Sequence, residues 1–196
     1  MRLPAVGMPL MVAAALAAVV SGCGAGPAAD GGAGAASGSS TVAPVSSAAA
    51  VDRREVEVYA AVLRHHLSGR TNGGPVYLVD RAVPDAADPM RGIATGVGTP
   101  IPPEVRDQLA RELADLGPIS FVPDANVVIG LRDGCPTVTG GGVVLTLAPV
   151  PADGDRLEIG VGDFRACLDG RWQTYVVVHD DTGWTVQGTT GPVSIS

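Results

Sequence analysis

The sequence predicts an α+β domain, with N-terminal helices packed on a curved antiparallel β-meander. Two early segments repeat apolar residues every three and four positions, which is the period of a half-buried helix. The C-terminal third alternates apolar and polar residues at period two, between turn signals at Asp153-Gly154, Asp169-Gly170 and Gly183. Helical periods first and alternating runs afterwards argue segregated helices and strands rather than alternating units.

Residues 51–67 read as the first helix, with Val56, Tyr59, Ala60, Leu63 and Leu67 on one stripe. Asp52, with Glu55 three residues on, has the spacing of a capping box, and Gly69 stops the helix. Residues 75–80 form a short strand. Four prolines (Pro84, Pro89, Pro100 and Pro102) make residues 82–102 a long irregular loop. Pro103 opens a second helix to about residue 116, on a stripe of Val105, Leu109, Leu113 and Leu116. Gly117-Pro118 ends it. Residues 119–122 are a short strand, and 126–130 a candidate for another.

Val143, Leu145 and Leu147 share one face of a strand over 143–150. Leu157, Ile159 and Val161 alternate next. The apolar positions then move to Phe164, Ala166 and Leu168, a change of phase that reads as a β-bulge near Gly160 or Gly162. Asp169-Gly170 is a two-residue hairpin signal. Strands over 172–178 and 184–190 complete four sequential antiparallel strands. The element order and the bulge suggest a curved sheet wrapped around a helix, of the cystatin or nuclear-transport-factor-2-like sort.

The domain is preceded by two segments of different character. Residues 1–22 carry Arg2, an apolar stretch of about 15 residues and then small residues, the layout of a signal peptide. The stretch falls short of the roughly 20 residues that span a bilayer core. Val20, Ser21, Gly22 and Cys23 resemble the bacterial lipobox, a branched apolar residue and two small residues before a cysteine. The resemblance implies cleavage before Cys23 and a diacylglyceryl group on its thiol, a palmitate-type anchor. Two chains hold a protein stably where one does not. The alternatives are an ordinary secretory signal with a chance cysteine and an uncut membrane anchor. Residues 23–50, nearly all Gly, Ala, Ser, Thr and Pro after Cys23, read as a flexible tether with a reach of roughly 30 Å. Residues 51–196 are then a single globular domain, long enough for a core of its own.

All 13 basic residues are arginine, and the net charge is −7. No basic stripe forms, which argues against nucleic acid as a partner, since phosphate neutralisation drives that binding. Attachment to the membrane falls to the lipid on Cys23. Of the three cysteines, Cys135 and Cys167 remain. In an exported, oxidising setting they pair most economically as a disulfide, and the alternative is two buried free thiols. Closing that loop should stabilise the fold by roughly 3–4 kcal/mol.

No residue pattern specifies a reaction. Gly-x-Ser-x-Gly, a phosphate loop, a zinc-protease helix and a calcium loop are all lacking, and no cofactor is expected. His65 and His66 sit on the first helix as space-filling residues at the core edge. Asp85 and Asp88 supply too few oxygens for calcium. His179-Asp180-Asp181 closes a strand and either bends the chain or supports acid–base work. Trp172, with Val176, lies on one face of its strand and Tyr175 on the other, so one aromatic set could line a sheet pocket. His179, Asp180, Tyr175 and Trp172 are therefore the pocket candidates.

Segments 171–180 and 183–196, with Trp172, Tyr175, His179 and Trp184, resemble the closing strands of small actinobacterial lipoproteins. That resemblance implies a location and carries no catalytic residue. The expected role is a lipid-anchored protein on the outer face of the cytoplasmic membrane, presenting a non-enzymatic binding or accessory domain to an envelope protein or a small molecule. A structural envelope protein and an extracytoplasmic enzyme built on His179 with Asp180 or Asp181 are the alternatives.

Overall fold

The computed structural model describes residues 47–70, 74–91 and 97–195, with side chains from Arg53 onward. The expected leader, Cys23 and the expected tether up to residue 46 lie outside the described residues. Helix α1 spans Ser47–Leu67, four residues longer at its start than expected. Ala48, Ala49 and Ala50 explain the difference, because alanine is the best helix former and needs no packing partner to extend a helix. Asp52 therefore lies inside α1 and does not cap it. Helix α2, Pro103–Glu112, begins at its proline and gives way to a 3₁₀ turn over Ala114–Leu116.

Among the described residues, nine strands form one sheet: β1 Val76–Ala82, β2 Thr99–Pro100, β3 Ile119–Val122, β4 Ile129–Arg132, β5 Cys135–Val138, β6 Val143–Leu147, β7 Arg156–Ala166, β8 Asp169–Asp180 and β9 Gly183–Ile195. Strands β6 to β9 are the expected antiparallel meander. The sheet as a whole is mixed, because β1 lies parallel to both β3 and β6, with Val76 opposite Ile119 on one side and Val143 on the other. The Pro-rich loop contributes β2, which closes on the end of β1. Hairpin β4–β5 joins the end of β7 through Thr137 and Ala166. The segment 126–130 is not one strand. Asp124 accepts a hydrogen bond from the Asn126 amide and sets a 3₁₀ turn over Ala125–Val127 before β4 begins.

Both helices cover one face of the sheet. Val58, Tyr59, Val62 and Leu63 of α1 and Val105 and Leu109 of α2 pack on Leu78, Leu145, Leu147, Ile159, Val161 and Val177. Tyr59 is anchored through its hydroxyl, which donates to the Ala148 carbonyl at 3.0 Å. The opposite face carries Val79, Val144 and Val138, with Phe164 packed against them.

The phase change in β7 has a cause other than the one expected. Its register with β8 runs unbroken from Arg156 to Phe164, and the irregularity falls between Phe164 and Ala166. Gly160 and Gly162 do not mark a bulge. They lie under the segment after β1, where a Cβ on Gly162 would stand 2.6 Å from the Ala86 carbonyl oxygen and 2.8 Å from Cδ1 of Trp172. The odd phase of Leu157, Ile159 and Val161 continues instead to Asp163, which is fully buried on the helix-facing side. The β7–β8 turn is Cys167-Leu168, not Asp169-Gly170. Cys167 is held there by its disulfide to Cys135, with Cα atoms 5.4 Å apart. Asp169 opens β8 opposite Ala166.

Candidate functional site

Where the end of α1 meets β7 and β8, a chain of hydrogen bonds runs through the core. His66 is on the last turn of α1, beside Leu63 and Leu67, and the helix presents it to the sheet. Its Nε2 lies 2.6 Å from Oδ2 of Asp163 on β7, and its Nδ1 lies 2.8 Å from the Tyr175 hydroxyl on β8. All three are sealed, at 1 % exposure for His66 and Tyr175 and 0 % for Asp163. Arg70, just past α1, reaches Asp163 at 3.5 Å and Asp169 at 3.1 Å. Arg171 stands directly opposite Asp163 across the β7–β8 ladder.

The bonding partners fix the ring's proton. A carboxylate only accepts, so Nε2 carries the hydrogen and donates to Asp163. Nδ1 then accepts from the Tyr175 O–H. Burial holds the His66 pKa below its ordinary 6.5, against the pull of Asp163, and the charges of Arg171 and Arg70 add to the lowering. Burial also pushes the Tyr175 phenol up to about 12. The arrangement is that of a nucleophile–base–acid triad with a phenol in the nucleophile's place. The phenol is sealed from solvent and holds its proton more firmly than usual, so the chain of bonds serves as a fastening between helix and sheet.

The residues expected to line a pocket divide among three places. Tyr175 belongs to this fastening. Trp172 is buried on the opposite face against Gly162 and Ala86, and its indole nitrogen has no hydrogen-bond partner among the described residues. His179 and Asp180 do line a cavity, an open groove of about 940 Å³ between the outer face of α1 and the β8–β9 turn. Trp184 forms part of its wall, with the His179 ring tilted against it at 5.0 Å and the Arg54 guanidinium 4.8 Å from its ring centre. Helix α1 adds Arg53 and Glu57, bonded to each other at 2.9 Å, and Arg64, which reaches Glu112 at 3.4 Å. His179 and Asp180 do not act as a pair. The Asp180 carboxylate accepts from the Thr182 amide at 2.8 Å and from its hydroxyl at 2.6 Å. Those two bonds lower its pKa and tie it into the turn.

Sequence reasoning missed Asp163, Arg70 and Arg171 and assigned His66 only to space filling. The signal lay in the alternation itself. A carboxylate fills the fourth place of the Leu157, Ile159, Val161 series, where burial demands an apolar residue or a paired charge. A histidine on the apolar stripe of the first helix is the matching partner.

Among the described residues, no group of three or more His, Cys, Asp or Glu side chains is placed to hold a metal ion, and no helix is long and apolar enough to cross a membrane. No family of known proteins, no curated protein and no solved structure matches the chain.

Proposed function

We propose that this chain is a lipid-anchored protein on the outer face of the cytoplasmic membrane whose folded domain is a binding or accessory module, not an enzyme. One contrast carries the reading. The only triad-like acid–base constellation among the described residues, Tyr175–His66–Asp163, is closed to solvent, while the large open groove presents a turn-bound Asp180 and a His179 resting on Trp184. Mixed charge around a tryptophan edge suits recognition of a polar segment of an envelope protein. The lipobox at Cys23 supports the anchor, and the glycine- and alanine-rich residues after it would let the domain stand off the headgroups.

Two measurements test this. Intact mass of the envelope-extracted chain should correspond to a start at Cys23 plus a diacylglyceryl group, and Cys23→Ala should leave a soluble, unacylated protein. Cross-linking in the detergent-solubilised envelope should join the wild-type chain to a specific partner, and Trp184→Ala should abolish that product. An unmodified Cys23 thiol would overturn the anchor. A partner captured equally by Trp184→Ala would overturn the groove.

A further inference from the structure

The fastening described above contains a group able to change charge as pH falls, the His66 ring, and each of its bonds depends on one protonation state. The neutral ring bonds Asp163 as a donor and Tyr175 as an acceptor. A second proton can go only to Nδ1, the atom that receives the Tyr175 hydrogen. The phenol must then turn its hydrogen away, and at 1 % exposure it has neither water nor a second acceptor among the described residues. Such a stranded buried donor is strongly unfavourable.

The surrounding charges act in the same direction. Asp163 on β7 faces His66 directly and favours protonation. Its charge is already shared with Arg70 beyond α1, and Arg171 stands opposite it on β8. Asp169 at the start of β8 binds Arg70, and His65, next along α1, places its ring edge-on to Tyr175 at 5.4 Å. A protonated His66 would be the third cation, with Arg70 and Arg171, beside two carboxylates, and its ring and the Asp163 carboxylate are sealed from solvent. Opening the site to water relieves both the stranded hydroxyl and the excess charge.

We propose that His66 is an acid-sensitive latch: protonation of its ring breaks the Tyr175–His66 bond, and the last turn of α1 with the segment to Arg70 lifts from β7 and β8 while the rest of the sheet stays folded. The latch joins one helix end to two strands. Strands β1 and β6, buried at the sheet centre, make no bond to it.

The test uses the full chain. Ring carbon shifts of its three histidines, followed by NMR from neutral to mildly acidic pH, give the His66 midpoint. Amide exchange, corrected for intrinsic rates, gives protection in residues 63–70 over the same range. Protection there should fall by up to about tenfold per pH unit as pH drops from about 6.5 toward the His66 midpoint and level off below it, as a single-proton linkage requires, with β1 and β6 remaining the better protected throughout. His66→Gln, whose amide can still donate to Asp163 but takes up no proton, should remove the pH dependence. Protonation of His66 with residues 63–70 still protected would overturn the proposal. So would an equal loss in His66→Gln, or exchange in residues 63–70 no faster than in β1 and β6. If His66→Gln does not fold, coincidence of the two midpoints in the wild-type chain decides the matter.

Discussion

His66 and Asp163, separated by 97 residues in sequence, meet at 2.6 Å with both side chains wholly buried. Neither is tolerable there alone. A buried carboxylate without a donor, or a buried ring nitrogen without an acceptor, carries its full desolvation penalty.

Truncating one partner should therefore cost far more than removing both. Asp163→Ala leaves the His66 N–H unmatched and Arg70 with Asp169 alone, and should destabilise the fold by about 3–5 kcal/mol. The double replacement His66→Leu with Asp163→Leu should recover much of that loss. Urea unfolding at neutral pH measures both. Additive losses would show that the two side chains act independently.

Tyr175→Phe removes only the hydroxyl that donates to His66. The ring nitrogen then loses its donor, at an expected cost of about 1–3 kcal/mol, less than for Asp163→Ala. Equal losses would place the phenol on a par with the carboxylate.

Stability should depend on pH with a definite sign. The folded His66 titrates below 6.5, and in the unfolded chain it titrates near 6.5. Between those values the unfolded chain binds more protons, so its contribution is complete above about 6.5 and is lost as pH falls toward the folded value. Denaturant midpoints measured down this range should drop in the wild type and drop less in His66→Gln.

Removing the disulfide with Cys135→Ser and Cys167→Ser together should lower stability by roughly 3–4 kcal/mol in the loop-entropy picture. The bond ties hairpin β4–β5 to the β7–β8 turn. The variant should therefore lose amide protection in that hairpin first, and uniform loss over the sheet would contradict this placement.

Gly162→Ala tests the close approach of the segment after β1. A methyl group there meets backbone at Ala86 and the ring of Trp172, and neither can yield without displacing its own packing. The expected loss is about 1–3 kcal/mol, read as a lowered thermal midpoint. An unchanged midpoint would mean the segment moves freely.

Much of the architecture is legible in the sequence because it depends on local periods. The stripes of α1 and α2, the alternation of β6 to β9 and the face-switching of Trp172 and Tyr175 all follow from side-chain geometry along one element. The parallel neighbours of β1 are not legible, since nothing within residues 76–82 encodes which distant strand lies beside them. The misplaced bulge is more instructive. Reading β7 by apolar residues alone treats Asp163 as a break in the pattern, when it is the pattern's next member with its charge matched from α1. The turn at Cys167-Leu168 overrides the better local signal at Asp169-Gly170, because a covalent bond and the Arg70–Asp169 contact fix the chain two residues earlier.

The fastening also bears on the order of events during synthesis. Helix α1 leaves the ribosome, and any export channel, well ahead of its partners, yet both bonds of His66 wait for strands made some hundred residues later. Until β7 and β8 arrive, the apolar stripe of the helix has only α2, β1 and β6 to rest on. The first of the described elements to emerge is thus among the last to be secured, and a holding chaperone has the most to protect in that interval.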